Sequence, residues 1–308
     1  MAEQQTTLKL SVLDLVPKLQ GSTAEEAVGQ AARLARHAEE WGYLRYWTAE
    51  HHDVAGLAST SPEVLLSHIG ARTSRIRLGS GAVLLPHYSP LKVAECFRLL
   101  AALYPGRVDL GIGRAPGGEA HAAMALSGNF LERVARYPQL AKDLSALLQD
   151  NYRYDDHPVA ARPVPQIPPA LWMLGTNVKS ARYAAELGTG YVFGQFMSDS
   201  DGEEILQAYR DAFQPSSRQP APKTLLAVSV ICAETDEQSK ALLAKTEAGF
   251  SARGGSPFTG FAGTGEQIRA QLREMQSRYR NDEFLILSPI PDYEQRLNSY
   301  RLLAELRP

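Results

Sequence analysis

Glu50, His51, His52 and Asp53 stand in a row, four side chains able to move protons or bind a metal. Adjacent residues of an extended chain point in opposite directions, so the run does not converge on one ion by itself. No third histidine or cysteine follows at metal-ligand spacing. Cys96 and Cys232 are too few for a disulfide framework. What remains for His51 is the chemistry of an imidazole that changes charge near neutral pH: proton donor, proton acceptor or ligand contact. His68, His87, His121 and His157 read as structural or exposed.

A second group suits an anion. Asn177 is a good helix N-cap, and the first N–H groups of a helix have no partner of their own. The Thr176-Asn177 pair therefore offers an anion site, strengthened by the positive end of the helix dipole. Arg114 can add a bidentate contact to a phosphate. A plain cap and a surface arginine account for the same residues. A third group is glycine-rich: Gly79-Ser80-Gly81-Ala82, Gly111-Ile112-Gly113, Gly175 and Gly194. Glycine inside a strand marks close approach of a ligand or of another backbone. A flat ligand across these strands would need that, and small residues filling a tapering interior would look the same. Neither a full Gly-x-Gly-x-x-Gly fingerprint, nor a P-loop, nor a Gly-x-Ser-x-Gly elbow is present.

The elements that must position these residues alternate. Residues 8–15 read as a first strand. Thr23 and Glu26 have capping-box form and open a helix whose Ala27, Ala31, Leu34, Ala38 and Trp41 recur at helical spacing, with Gly42 as the stop. Residues 45–50 form a second strand and 76–85 a third. Ser61-Pro62 and Ser89-Pro90 start the helices that follow them, with proline at the first helical position. Tyr104-Pro105-Gly106 ends the second of these, and 108–113 is a fourth strand. Residues 119–150 read as mostly helical, and 155–169, with five prolines, as an extended loop. Strands over 171–174, 190–196, 225–233 and 284–287 alternate with helices over 178–187, 201–213, 236–249, 264–279 and 292–306. The stretch 251–265, with five glycines, reads as a mobile loop, and Phe250, Phe258 and Phe261 make it a candidate gate.

Eight strands alternating with helices predict parallel pairing. Eight closes a (β/α)8 TIM barrel with loop insertions at its C-terminal mouth, where the three groups above would lie. An open doubly wound sheet has the same alternation. No linker splits the chain, so a single domain over 1–308 is expected. Lys plus Arg is 32 against 34 Asp plus Glu, without the basic excess of a nucleic-acid binder. Hydrophobic residues make up 44% and charged residues 21%, a globular composition. No apolar run approaches a membrane span, and the start lacks a secretory pattern, so a soluble cytoplasmic protein is expected.

Trp47-Thr48-Ala49-Glu50-His51-His52, Ser89-Pro90-Leu91-Lys92-Val93-Ala94-Glu95, Leu103-Tyr104-Pro105-Gly106-Arg107-Val108, Gly111-Ile112-Gly113-Arg114 and Gly263-Thr264-Gly265-Glu266-Gln267-Ile268 follow one another in a familiar order. Together they resemble the bacterial luciferase-like flavin monooxygenases over most of the chain. The resemblance implies FMN at the mouth of the barrel. The ring would lie beside the third strand at Ser80, Gly81 and Ala82, where relatives carry a non-proline cis peptide, and near Gly194. The phosphate would lie at Arg114, Gly175, Thr176, Asn177 and Ser180. His51 matches a histidine implicated in proton transfer or in handling the oxygenated flavin. Luciferase has a cysteine where this chain has Gly113, and Gly265 stands where proline is usual. The implied reaction is oxidation of a small organic substrate by O2 and reduced FMN supplied by a separate flavin reductase, in a homodimer. Three alternatives share these residues: an F420-dependent hydride transfer, a non-catalytic flavin carrier, and a barrel enzyme acting on a phosphorylated substrate.

Overall fold

The computed structural model describes residues 7–216, 218–251 and 257–305. Strands buried on both faces need helices on one side and a filled interior on the other, and the chain supplies both. In order it forms β1 (Lys9–Asp14), α1 (Ala24–Glu40), β2 (Arg45–Thr48), α2 (Pro62–Gly70), β3 (Arg77–Ser80), β4 (Val83–Leu84), α3 (Pro90–Leu103) and β5 (Val108–Gly113). Three helices follow, α4 (Ala120–Ser127), α5 (Phe130–Ala135) and α6 (Tyr137–Leu148), then a small hairpin of β6 (Arg153–Tyr154) and β7 (His157–Pro158). The second half holds β8 (Ala170–Gly175), α7 (Val178–Glu186), β9 (Gly190–Gly194), α8 (Gly202–Ala212), β10 (Thr224–Ala233), α9 (Asp236–Ser251), β11 (Phe261–Thr264), α10 (Gly265–Tyr279), β12 (Glu283–Leu287) and α11 (Tyr293–Glu305).

The strands β1, β2, β3, β5, β8, β9, β10 and β12 pair in that order, all parallel, and β12 returns to β1. The sheet is closed: a (β/α)8 barrel. Two of its strands differ from the expectation. The third is broken into β3 and β4 by a cis Gly81–Ala82 bond. The seventh runs past the ring, and its last residues, Val230 to Ala233, pair with β11. The stretch 251–265 is therefore not one loop. Helix α9 reaches Ser251, and Phe261 starts a strand. Residues 252–256, including Arg253 of the expected gate, lie outside the described residues. Among the described residues no helix is long and apolar enough to cross a membrane.

The caps follow from side chains. Thr23 accepts from the Glu26 N–H at 3.2 Å. At α10 the box is complete, with Thr264 and Gln267 each bonding the other's backbone N–H. Helix α1 buries Ala27, Ala31, Leu34, Ala35 and Ala38 along one stripe, small enough for close approach to the barrel.

The interior is layered. At the N-terminal end, Arg45 reaches Asp109 at 2.8 Å and Glu283 at 2.6 Å, Arg77 binds Asp109, and the Ser11 hydroxyl donates to Glu283 at 2.6 Å. Above this floor lie Leu13, Trp47, Trp172, Val192, Leu225, Ala227 and Leu285. Trp47 and Trp172 meet edge to face at 5.9 Å, and the Trp47 Nε1–H donates to Asp109 at 3.1 Å. A Cβ on Gly79 would lie 2.3 Å from Trp47 Nε1, and one on Gly190 would lie 2.3 Å from Trp172 Cε3. These two strand glycines make room for tryptophans.

Burial alone would raise the Asp109 carboxyl, but the Arg45 and Arg77 guanidiniums overcome it and hold it below the usual carboxylate range. Removing one partner from such a buried network leaves uncompensated charge. Asp109→Ala is expected to cost about 3–5 kcal/mol of stability. The measurement is the urea midpoint at unchanged m value, and a loss below about 1 kcal/mol, the ceiling for exposed pairs, would show that the floor is solvated.

Candidate active site at the carboxyl mouth

The break in the third strand would leave backbone groups unpaired, and two side chains close the gap. The β3–β5 ladder ends at Gly79 opposite Asp109, and the β4–β5 ladder resumes at Val83 opposite Ile112. Between them the Ser80 hydroxyl donates to the Gly111 carbonyl at 2.8 Å and accepts from the Gly111 N–H at 3.0 Å. Glu50, just past β2, accepts from the Leu84 N–H of β4 at 3.1 Å and from the Tyr88 hydroxyl at 2.7 Å, and pairs with His52 Nε2 at 2.8 Å. Glu50 is only 2% exposed. Burial keeps its carboxyl above the usual carboxylate value, although the bonds from His52, Tyr88 and Leu84 pull the other way.

The two histidines have different surroundings. His52 is spoken for: its ring is on Glu50, and its N–H donates to the Gly117 carbonyl at 2.8 Å. His51 is tied only through its backbone, to the Ser59 carbonyl at 2.8 Å, and its buried Nδ1 has no partner. Burial, then the neighbouring His52, lower its imidazole pKa. His51 thus presents a neutral imidazole with a free ring nitrogen. Two further buried polar atoms without partners follow other strand ends at the same mouth: Gln195 Oε1 after β9 and Ser288 Oγ after β12. Unpaired buried polar atoms are rare in folded proteins and call for an explanation, a ligand among them.

The anion end lies across the mouth. Arg114 follows β5 directly, is exposed, and makes no hydrogen bond or ion pair to a described residue. Asn177 caps α7 by accepting from the Ser180 N–H at 3.0 Å. The Ser180 hydroxyl is turned inward, donating to the Asn177 carbonyl at 2.7 Å and lying 3.1 Å from the Tyr191 hydroxyl. That cap takes up one N–H of the first turn and leaves those of Val178 and Lys179 for a ligand. Arg114, Asn177, Val178, Lys179, Asp201 and Glu204 line one open cleft of about 400 Å³.

The structure divides the expected site residues into two groups. His51, Ser80, Gly81, Ala82 and Arg114 stand at the ends of β2 to β5, and Gly175, Thr176, Asn177, Ser180 and Gly194 at the ends of β8 and β9. Arg114 and Asn177 meet in the cleft. Ser80 and Ser180 spend their hydroxyls on the fold. Gly175 has no room for a Cβ, which would lie 2.1 Å from Ser180 Oγ, and a Cβ on Gly111 would lie 2.1 Å from the Ser80 carbonyl oxygen. A Cβ on Gly81 would lie 2.7 Å from Leu13 Cδ1. A Cβ on Gly113 or Gly194 would meet only side-chain atoms, at 3.2 and 3.1 Å. Thr176 accepts from the Ser198 hydroxyl at 3.0 Å. The role of Glu50 as a hub, and those of Tyr88, Gln195 and Ser288, escaped the sequence reading. Glu50 was visible beside the histidines, but its partners come from strand and turn residues with no periodic signal. Among the described residues no group of three His, Cys, Asp or Glu side chains is disposed to hold a metal ion.

A family model described as luciferase-like monooxygenase matches residues 8–285. The chain belongs to the luciferase-like monooxygenase family. It is 39% identical to the uncharacterized protein YceB of Bacillus subtilis, over 97% of this chain and 99% of that one. It is 35% identical to an N-acetyl-S-alkylcysteine monooxygenase of the same organism, over 97% and 98% of the two chains. The crystal structure of apo-MsnO8 superposes with a TM-score of 0.88 at 36% identity, covering 97% of this chain and 98% of that one.

Both His51 and His87 are held below the ordinary imidazole value, chiefly by burial. Below pH about 6.5 the unfolded chain therefore binds more protons than the fold, and stability falls as pH falls through that window. Melting temperature is expected to drop between pH 7.5 and 5.5, and His51→Gln should shrink the drop. An identical drop in His51→Gln would show that His51 titrates normally in the fold.

Proposed function

We propose that this luciferase-like chain binds FMN at the carboxyl mouth and, with reduced FMN delivered by a separate reductase, oxidises a small organic substrate with O2. The single observation that carries the reading is the Arg114 guanidinium, without a hydrogen bond or ion pair to a described residue, in one cleft with Val178 and Lys179, whose N–H groups open helix α7. A doubly charged phosphate needs such a pairing of a guanidinium with a helix N-terminus. The donor set fits a phosphorylated flavin, and the orphaned Gln195 Oε1 fits a polar ring system above the tryptophan layer. The kinship with a monooxygenase at 35% identity supports the oxygen-dependent reaction.

In this reading Arg114, Asn177 and Thr176 hold the phosphate. Ser180 and Gly175 act one step back, by fixing the cap that aims the helix. The backbone of Ser80 to Ala82 and the bare face of Gly194 border the ring. When bound, reduced FMN supplies the electrons for O2. His51 holds or passes a proton at Nδ1, and its neutral state near pH 7 suits it to accept one. The buried surroundings of Glu50 and His51 keep water from that nitrogen. The exposed apolar Val64 of α2 and Leu99 and Leu103 of neighbouring α3 support assembly as a homodimer.

FMN is expected to bind much more tightly than riboflavin in a fluorescence titration, and Arg114→Ala to cost about 1.5–3 kcal/mol of that binding, the range for a hydrogen bond to a charged group. Equal affinities for FMN and riboflavin would overturn the phosphate assignment, and a preference for F420 over FMN would move the chain to hydride transfer. His51→Ala is expected to leave FMN affinity within about twofold, less than one hydrogen bond is worth, while changing the rate of O2 consumption by photoreduced FMN. Unchanged oxygen kinetics would remove His51 from the reaction.

A further inference from the structure

Among the described residues no side chain hydrogen-bonds or ion-pairs with the Arg114 guanidinium, so its approach to a ligand is set by the backbone that carries it. That backbone is fastened on both sides. Before Arg114, Gly113 pairs with Leu84 of β4. After it, the Pro116 carbonyl lies 2.9 Å from His87 Nε2, and the Gly117 carbonyl accepts from the His52 N–H at 2.8 Å. The loop lies tight on His52: Gly117 has φ of +74°, and a Cβ on Gly118 would sit 2.1 Å from the His52 carbonyl oxygen.

His87 is a rigid post. It is 7% exposed. Its ring stacks on Phe130 at 5.0 Å and meets the His52 ring edge-on at 6.0 Å, and its Nδ1 lies 3.1 Å from the Ser127 hydroxyl. The Arg133 guanidinium braces the backbone on either side of it, donating to the Pro86 carbonyl at 2.8 Å and the Tyr88 carbonyl at 2.9 Å. A carbonyl only accepts, so Nε2 carries the proton on the side of Pro116. Helix α5 and the end of α4 thus hold the ring, and the ring holds the loop.

We infer that His87 is a positioning residue for the anion end of the site: through Pro116 it fixes the Arg114 loop, and so sets the preference for a phosphorylated over an unphosphorylated flavin. The inference rests on the proposed FMN site and names the group that tunes it. His87 touches neither the cleft nor His51, so its effect must pass through the loop. The loop itself ties the phosphate end to the His52 backbone through the Gly117 carbonyl, so that both ends of the mouth share one support.

The test is a pair of titrations, FMN and riboflavin, on wild type and two variants. His87→Leu keeps bulk and loses the donor. His87→Gln places an amide N–H near the position of Nε2. Losing a hydrogen bond that fixes the loop is expected to weaken FMN binding roughly tenfold in His87→Leu, with riboflavin changed by less than about threefold. His87→Gln should restore most of the FMN affinity. Should His87→Leu fail to fold, His87→Asn replaces it, since its amide is too short to reach Pro116. Equal weakening of both ligands, or no weakening, would overturn the inference and leave His87 an ordinary core residue. Failure of Gln to rescue would overturn it too. A wild type without preference for FMN over riboflavin would instead overturn the phosphate reading and the inference with it.

Discussion

One buried carboxylate decides how the mouth of this barrel is assembled. Glu50 sits where β2 ends and takes hydrogen bonds from three directions: the ring of His52, the hydroxyl of Tyr88 and the backbone of Leu84. The last of these holds β4 in place beyond the break in the third strand, and β4 in turn orders the end of β5, from which Arg114 emerges. Glu50 and Ser80 together bridge the gap between the β3–β5 ladder and the β4–β5 ladder. A buried carboxylate is costly unless all its acceptor sites are used, and here each bond that offsets the cost also fixes a piece of the site. Stability and geometry at the mouth are the same set of hydrogen bonds.

The neighbouring histidines show how one residue of sequence separates two roles. His52 is consumed by this scaffold through both its ring and its backbone. His51, pointing the other way along an extended chain, keeps a ring nitrogen without a protein partner. The pair is not a doubled reagent. One ring is a strut that lets the other be free.

Much of the architecture was legible because it rests on local signals. Thr23 and Asn177 cap the helices they were expected to cap, and the alternation of strands and helices closes into the barrel its count suggested. What was not legible depends on contacts far apart in sequence. Residues 251–265 read as a loop because glycines dominate, yet Gly263 lies in β11 and pairs with Cys232 of an overlong β10, an edge no period announces. The glycines at 79, 111 and 175 looked like room for a ligand. Their space is filled by Trp47 and the Ser80 backbone, brought there by strand pairing, and by Ser180 of the cap that follows Gly175. Arg114 and Asn177 were read together as one anion site, and the turn of the barrel between β5 and β8 puts both on one cleft.

The floor of the barrel has a consequence for traffic. Arg45 binds both Asp109 and Glu283 across the N-terminal end, and Trp47 and Trp172 lie above them. That end is a bolted base, not a second door. Any small molecule that reaches the unpaired atoms of the mouth must therefore arrive and depart by the same opening. Two molecules cannot pass each other there, so one occupant must leave before the next can enter.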